Sequence, residues 1–262
     1  MIDIKSYVEK RKADIKDYIA KTNPKKNTLV VFQFGDSPAS NAYVKGKRND
    51  CDEVGLRTIV YKLPIDTSYD EALGLLLDAQ ENRRVAGVIV QLPVPEHLKS
   101  LSAHIKPELD VDGFLPNTKF IPATPKGIIE LLDNELHYDF VGKVCTVIGK
   151  SHIVGAPCAN LIKGRGATVI WCDSHTVDLK KWCLQSDLII TATGRPKLIK
   201  QDMLRPETVV IDVGITRGED GKLCGDVDKA CYSDNALITP VPGGVGLLTR
   251  IALIENLVYE VK

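Results

Sequence analysis

Two side chains that can act on a bound substrate are spaced four residues apart near the start of the chain. Tyr43 and Lys47 lie in the segment PASNAYVKGKRND, where a Pro-Ala-Ser start followed by helix formers predicts a helix. Residues four apart share one face of a helix, so a ring that can stack on a flat heterocycle stands beside an amine that can move a proton. The alternative is a solvated cationic face, because Lys45 and Arg48 lie in the same segment.

Gln91 and Asp112 are the next polar candidates. Gln91 ends an apolar run just before LPVP, where a parallel strand delivers side chains to the carboxyl edge of its sheet. Its neutral amide can hydrogen-bond a substrate or hold Lys47, and the alternative is a strand-end cap. Asp112 can accept paired N–H donors from an aminopyrimidinone ring, or can serve only in an Asx-type turn.

The acidic run ELDVDG (108–113) imitates the first half of a calcium loop. With Glu108 as the first ligand, the twelfth position falls on Lys119, where a bidentate Glu is required. Calcium is therefore excluded. The seven cysteines also lack the CxxC spacing of zinc sites, so no metal site is predicted.

A glycine-bearing turn predicts a dinucleotide site. The run KVCTVIG leads directly into KSHIVGAP and then into helix formers. Glycine at such a turn lets the backbone approach a phosphate, whose charge the N–H groups of the helix start stabilise. Because Ser151 replaces the middle glycine of GxGxxG, a plain strand-turn-helix is the alternative. The cofactor contacts predicted at this turn are Gly149, Lys150 and Ser151.

The following strand ends at Cys172-Asp173-Ser174, roughly 20 residues past the glycines, where such folds contact the adenosine ribose. Asp173 can accept a hydrogen bond from a ribose 2′-OH, which favours NAD. Lys150 and Ser174 can hold a 2′-phosphate, which favours NADP. These residues alone leave the cofactor open.

The segment TPVPGGVG (239–246) combines prolines that fix the backbone with glycines that free it. The missing side chains at Gly243 and Gly246, next to Pro242, permit close contact with a ligand. The segment also suits a tight lead-in to the last helix, and both roles are compatible.

Short β-rich runs alternate with helical segments, which predicts an α/β fold with parallel sheets. After an amphipathic helix in the first 20 residues, we expect strands at 28–34, 57–63 and 86–92. A second series predicts helices at 124–137 and 153–165 and strands at 143–149, 167–172, 187–193 and 208–214. We predict two α/β lobes with a cleft between them: a catalytic lobe of 1–116 joined by a last helix at 244–262, and a Rossmann-type dinucleotide-binding lobe of 117–243.

The composition excludes several classes of protein. The 262 residues are 44% hydrophobic and carry 34 basic against 34 acidic side chains, unlike a disordered chain or a basic nucleic-acid binder. The opening segment is too charged for a signal or an anchor, and no apolar run approaches the roughly 18 residues of a membrane span. An odd number of cysteines argues against full disulfide pairing, so we expect a reducing, cytoplasmic location.

Seven blocks of the sequence closely resemble the bifunctional methylenetetrahydrofolate dehydrogenase/methenyltetrahydrofolate cyclohydrolase family. They are SNAYVKGK (40–47), VIVQLPVP (88–95), DVDGF (110–114), GKSHIVGAP (149–157), VIDVGI (210–215), GDVD (225–228) and PVPGGVG (240–246). Each block alone is weak, but together they follow the family's order over nearly the whole chain. The common Arg of the family's G-R-S turn is Lys150 here, a point charge without a bidentate fork.

The resemblance implies a role for each candidate. Tyr43 would stack on the folate, Lys47 would be the central catalytic residue, Gln91 would tune Lys47, and Asp112 would hold the pterin. Pro242, Gly243 and Gly246 would lie between folate and nicotinamide. The implied cofactor contacts are Gly149, Lys150, Ser151, Ser174, Ile215 and Thr249.

The resemblance also implies the chemistry. The protein would oxidise 5,10-methylenetetrahydrofolate with NADP, with NAD as the alternative cofactor, and hydrolyse the methenyl product to 10-formyltetrahydrofolate in one-carbon metabolism, which feeds purine biosynthesis. A homodimer is implied, with tetrahydrofolate derivatives as ligands and no nucleic acid or membrane as partner. The alternatives are a monofunctional, possibly NAD-dependent dehydrogenase and a noncatalytic dinucleotide-binding protein, which would not need the polar residues Tyr43, Lys47, Gln91 and Asp112.

Overall fold

The computed structural model describes residues 2–218, 221–232 and 237–259. They form two compact α/β units. The first unit contains residues 9–123 and 250–259, and the second contains residues 2–8 and 124–249. The predicted boundaries at 116 and 243 fall a few residues before these. Residues 2–8 were predicted in the catalytic lobe but belong to the second unit, because the first turns of the opening helix pack there. The predicted cleft between two lobes stays a prediction.

The first unit is built on a three-stranded parallel sheet in the order β2-β1-β3. Its strands are β1 (Thr28–Phe34), β2 (Arg57–Leu63) and β3 (Val85–Val90). The helix α2 (Pro38–Val54) connects β1 to β2, and α3 (Tyr69–Glu81) connects β2 to β3. Strands β1 and β3 are buried along their whole length, which explains their nearly continuous apolar sequence.

The end of β3 differs slightly from the predicted strand at 86–92. The strand ends at Val90, so Gln91 is the first residue beyond it. The Gln91 N–H still donates to the Phe32 carbonyl at 2.8 Å, which extends the pairing with β1 by one bond. Gln91 is therefore tied to the central strand although it lies outside the regular ladder.

The helix α2 starts and stops where its sequence dictates. Pro38 lies in its first turn, where the missing N–H costs nothing and the fixed φ suits a helix. Gly55 follows its last turn with φ 91°, a left-handed conformation that ends helices and favours glycine. The predicted helix carrying Tyr43 and Lys47 is thus confirmed.

The second unit contains a five-stranded parallel sheet in the order β10-β7-β6-β4-β5. The strands of this sheet are β4 (Val144–Ile148), β5 (Thr168–Cys172), β6 (Leu188–Thr191), β7 (Val209–Asp212) and β10 (Leu237–Ile238). Between β7 and β10 in the chain, β8 (Thr216–Arg217) and β9 (Leu223–Cys224) form a separate antiparallel pair. The helices are α4 (Ala123–Glu130), which continues as a π-helical turn (Leu131–Glu135), α5 (Gly155–Lys163) and α6 (Leu179–Leu184). Strands β6 and β7 are shorter than the predicted 187–193 and 208–214.

The chain closes with α7 (Val245–Val258), which confirms the last predicted helix; the end of the predicted range 244–262 lies outside the described residues. Within the first unit, Asn256 Nδ2 donates to the Val111 carbonyl at 2.9 Å and the Ile121 carbonyl at 3.3 Å. These bonds tie the helix to the loop that carries Asp112. At the start of the chain, the predicted amphipathic helix is α1 (Ile4–Thr22).

All seven cysteines are free thiols, and six of them are buried. Among the described residues, no group of His, Cys, Asp and Glu side chains is arranged to hold a metal ion. In that same part of the chain, no helix has both the length and the apolarity needed to cross a bilayer.

Candidate functional site

Lys47 is buried, which is exceptional for a lysine. Only 6% of the residue is exposed. Its Nζ donates to Gln91 Oε1 at 3.2 Å and lies 3.8 Å from Asp112 Oδ1. Lys45 and Arg48 are exposed on the same helix, so the solvated face exists but does not include Lys47. The structure therefore brings together three of the predicted catalytic residues.

The sheet topology explains why Lys47 and Gln91 meet. The central strand β1 has β2 on one side and β3 on the other. After β1 the chain continues into β2 on one side, and it then crosses over to form β3 on the opposite side. Ligand sites in open parallel sheets form at the carboxyl ends of the two strands flanking such a switch point. Helix α2 follows β1, and Gln91 follows β3. Gln91 Nε2 donates to the Leu92 carbonyl at 3.0 Å, which aims its oxygen at Lys47.

Asp112 keeps its carboxylate available for Lys47. The surrounding loop is closed by Asp110, whose Oδ2 accepts the Leu115 N–H at 2.8 Å. Burial raises the pKa of the Asp112 carboxyl, the Lys47 cation opposes that shift, and the neighbouring Asp110 adds to it. The alternative in which Asp112 serves only as a turn residue is thus not what the geometry shows.

Tyr43 lies one helical turn before Lys47 and is half-buried. Burial raises the pKa of its hydroxyl, and the cation of Arg250 opposes the shift. Half-burial leaves part of the ring accessible, as a stacking residue requires.

Arg250 is a residue that the sequence reasoning missed. Its Nε lies 2.8 Å from Asp50 Oδ2, and its guanidinium lies against Gly46, where any Cβ would occupy the same space. Asp50 also pairs with Lys12 at 2.9 Å. Arg250 thus fixes α2 immediately beside Lys47. The available signal was one charged residue, an arginine, in the mostly apolar helix start VGLLTRIAL.

The predicted glycine turn lies at the carboxyl end of β4. Gly149 has φ 110°, and a Cβ there would stand 2.6 Å from the Ala192 carbonyl oxygen, so only glycine fits. A cavity of about 440 Å³ opens beside it, lined by residues that follow β4, β5 and β6. This is again a switch point, because β5 and β6 flank β4 on opposite sides. Gly149, Lys150 and Ser174, which are three of the predicted cofactor contacts, line this cavity.

Three other predicted cofactor residues lie outside this lining. Ser151 Oγ accepts the N–H groups of Val154 at 3.2 Å and Gly155 at 3.3 Å, so it holds the start of α5. Ile215 is exposed just after β7. The Thr249 hydroxyl bonds that of Thr124 at 2.9 Å and donates to the Val245 carbonyl at 3.0 Å.

The predicted glycine- and proline-rich loop leads into α7. Pro242 and Gly243 form a bend before the helix, and Gly243 has φ 92°. Gly246 lies in the first turn of α7. The structure therefore confirms the lead-in to the helix, and the contact with folate stays a prediction.

Asp226, within the block GDVD, positions the far wall of the cavity. Its Oδ2 accepts the Thr191 hydroxyl at 2.7 Å, the Thr193 N–H at 2.7 Å and the Thr193 hydroxyl at 2.9 Å. Thr193 and Arg195 line the cavity. Asp226 lies in the family block GDVD, but no local sequence pattern predicts this role for it.

The cavity suits a dinucleotide. It combines a glycine whose bare backbone admits a phosphate, the cations Lys150 and Arg195, and the polar groups of Asp173 and Ser174. A parallel sheet with such a cavity at its switch point is typical of dinucleotide-binding α/β proteins.

Comparison with known proteins makes this class specific. Residues 2–112 match the model of the tetrahydrofolate dehydrogenase/cyclohydrolase catalytic domain, and residues 122–262 match that of the NAD(P)-binding domain of the same family. The bifunctional protein FolD of Agathobacter rectalis is 40% identical over 100% of this chain and 99% of its own length. The chain belongs to the tetrahydrofolate dehydrogenase/cyclohydrolase family.

Solved structures agree with the family. The bifunctional FolD dehydrogenase/cyclohydrolase of Campylobacter jejuni superposes with a TM-score of 0.91 at 40% identity, covering 98% of this chain and 96% of that one. The Trypanosoma brucei dehydrogenase-cyclohydrolase, solved with NADP cofactor and an inhibitor, has a TM-score of 0.91 at 28% identity, covering 98% and 95%. The predicted family resemblance is confirmed.

Proposed function

We propose that this chain is a bifunctional enzyme that oxidises 5,10-methylenetetrahydrofolate with NADP and hydrolyses the methenyl product to 10-formyltetrahydrofolate, a step of one-carbon metabolism. Family membership supports both activities. The observation that carries the assignment to residues is the buried Lys47 ammonium held between Gln91 and Asp112. A protein that only bound a dinucleotide would gain nothing from a buried lysine held in this way.

Hydrolysis is the step that needs Lys47. Water adds to the methenyl carbon and gives up one proton; the bond from that carbon to the ring nitrogen then breaks as the remaining hydroxyl proton passes to that nitrogen, which leaves the formyl group. Both proton movements need a side chain within hydrogen-bond reach of the reacting atoms. Gln91 holds the Lys47 amine in place, because its amide is itself fixed on the Leu92 carbonyl. The amide is neutral, so it adds no charge beside the amine.

Oxidation makes smaller demands on the side chains. NADP, when bound, supplies the chemistry by accepting a hydride from the methylene carbon. The chain's own contribution is to align the substrate. Tyr43 would stack on the flat folate ring, and Asp112 would accept paired N–H donors of the pterin. Pro242, Gly243 and Gly246 would contact the substrate through bare backbone.

The cofactor would be held by the cavity beside Gly149. Gly149 and the start of α5 would admit the pyrophosphate, and Lys150 and Ser174 would bind near the adenosine ribose. Ser151 would act indirectly, by fixing the helix start. Ile215 and Thr249 would approach the nicotinamide end.

A coupled spectrophotometric assay tests both activities. The purified chain is incubated with methylenetetrahydrofolate and either NADP or NAD, and reduced dinucleotide is followed. Methenyltetrahydrofolate is then supplied alone and its decay is compared with the spontaneous rate. We expect reduction of NADP and accelerated decay. Reduction without accelerated decay indicates a monofunctional dehydrogenase, and no reduction with either dinucleotide refutes the enzymatic proposal.

We also propose a homodimer in the cytoplasm. The family resemblance supports the dimer, and the free thiols fit a reducing compartment. Sedimentation velocity of the purified chain is expected to give twice the monomer mass of 28.8 kDa, and a monomer at micromolar concentration would contradict the dimer.

A further inference from the structure

The cavity beside Gly149 contains an ion pair at the place where the two dinucleotides differ. Asp173 immediately follows β5, and its Oδ2 lies 2.9 Å from Lys150 Nζ. The two side chains are 29% and 46% exposed, so a ligand can reach both. Lys150 is the cation expected to bind a 2′-phosphate, and here it already has an anionic partner.

Both members of the pair are held in position by their neighbours. Asp173 Oδ1 accepts the His175 N–H at 2.9 Å, and the Asp173 N–H donates to the Thr176 hydroxyl at 2.8 Å. Lys150 Nζ lies 5.6 Å from the centre of the Trp171 ring, whose Nε1 donates to the Gly149 carbonyl at 3.0 Å. The carboxylate is therefore built into the turn after β5.

This arrangement affects the two cofactors in opposite ways. An acidic side chain after this strand accepts a hydrogen bond from a free ribose 2′-OH, as in NAD. A 2′-phosphate brings a second anion to the same place, so it must compete with Asp173 for Lys150 and is repelled by the carboxylate. Arg195 lines the same cavity and supplies a second cation that can attract the phosphate. The repulsion between the phosphate and the Asp173 carboxylate remains.

We infer that Asp173 is a specificity-determining residue that weakens this chain's preference for NADP by holding Lys150 in an ion pair and by accepting the ribose 2′-OH of NAD. The inference rests on the proposed function, since it concerns the cofactor of that same site. It assigns to Asp173 a role that the sequence alone left open between two cofactors.

Direct binding to the full chain tests the inference without turnover. Dissociation constants are measured by calorimetry for NADP and NAD, and for adenosine 2′,5′-bisphosphate and adenosine 5′-monophosphate, which differ only in the 2′-phosphate. We expect Asp173→Asn to bind NADP and the bisphosphate about tenfold more tightly and to bind NAD and the monophosphate no more tightly than the parent chain.

The matched control is Asp202→Asn. Asp202 pairs with Lys180 at 2.6 Å in the same unit but does not line the cavity. This substitution therefore removes the same carboxylate charge from an ion pair outside the cofactor site. A second variant, Lys150→Gln, should bind NADP more weakly, and adding Asp173→Asn to it should give a much smaller gain than in the parent chain. A double-mutant gain equal to the single-mutant gain would show that the carboxylate does not act through Lys150.

The failures are distinguishable. If Asp173→Asn and Asp202→Asn change NADP affinity equally, or if Asp173→Asn tightens both dinucleotides equally, the inference is wrong while the proposed function stands. If the parent chain binds neither dinucleotide, the cofactor assignment of the proposed function fails as well.

Discussion

Replacing Lys47 by methionine separates the two activities. The methionine side chain has nearly the length of the lysine stem and is apolar, so it fits a position that is 6% exposed. It removes the ammonium 3.2 Å from Gln91 Oε1 and 3.8 Å from Asp112 Oδ1. Loss of a positioned proton-transfer group costs about 10²- to 10⁴-fold in rate, or about 3 to 5 kcal/mol of barrier. We therefore expect the hydrolysis of methenyltetrahydrofolate to fall about a thousandfold.

The dehydrogenase activity of Lys47→Met should fall far less, about tenfold or under, because hydride transfer depends mainly on alignment. Both activities are measured on one preparation, by dinucleotide reduction and by methenyl decay. Lys45→Met is the matched control, since Lys45 is exposed on the same helix, and both of its activities should match the parent's. Equal retention of both activities in Lys47→Met would remove Lys47 from the mechanism.

Three further perturbations test the framework around the sites. Asp50→Asn weakens the ion pairs of Asp50 with Lys12 and Arg250 and should lower the free energy of unfolding by about 3 kcal/mol in urea titration; an unchanged midpoint would refute this role. Gly149→Ala forces a Cβ to 2.6 Å from the Ala192 carbonyl oxygen at a positive φ, which distorts the turn beside the cofactor cavity. The affinity for NADP, measured by calorimetry, should fall at least tenfold. An affinity equal to that of the parent chain would show that the turn is not rigid. Burial raises the pKa of Asp212 to about 6, above its unfolded value, so between about pH 4 and 6 the folded state keeps a proton that the unfolded state has released. The free energy of unfolding should therefore fall by about 3 kcal/mol as pH rises through this range. Asp212→Asn should flatten this slope, and an identical slope would contradict the assignment.

The sequence predicted most elements because their signals were local. The runs at 28–34 and 57–63 coincide with β1 and β2, where continuous apolar or alternating residues are bounded by polar turns. Strand ends were less well predicted. Pairing stops where the neighbouring strand diverges, and that depends on the sheet rather than on the residues, as at Gln91.

The same distinction applies to the sites. Tyr43 and Lys47 could be paired from helical spacing, and Gln91 from its place at a strand end. Arg250 and Asp226 could not be assigned. Their roles come from contacts across long sequence separations, with Asp50 and with the turn after β6, and no local pattern encodes such contacts. The Asp173–Lys150 ion pair likewise appears only once β4 and β5 are placed side by side.

A crystal structure of the chain with a bound folate analogue that carries the one-carbon unit tests the central claim most directly. The measured quantity is the distance from Lys47 Nζ to the nearest atom of that unit or to the water beside it. We expect about 3 Å, within hydrogen-bond reach, with the contact between Lys47 and Gln91 retained. A folate bound with its one-carbon unit remote from Lys47, or with Lys47 turned into bulk solvent, would contradict it.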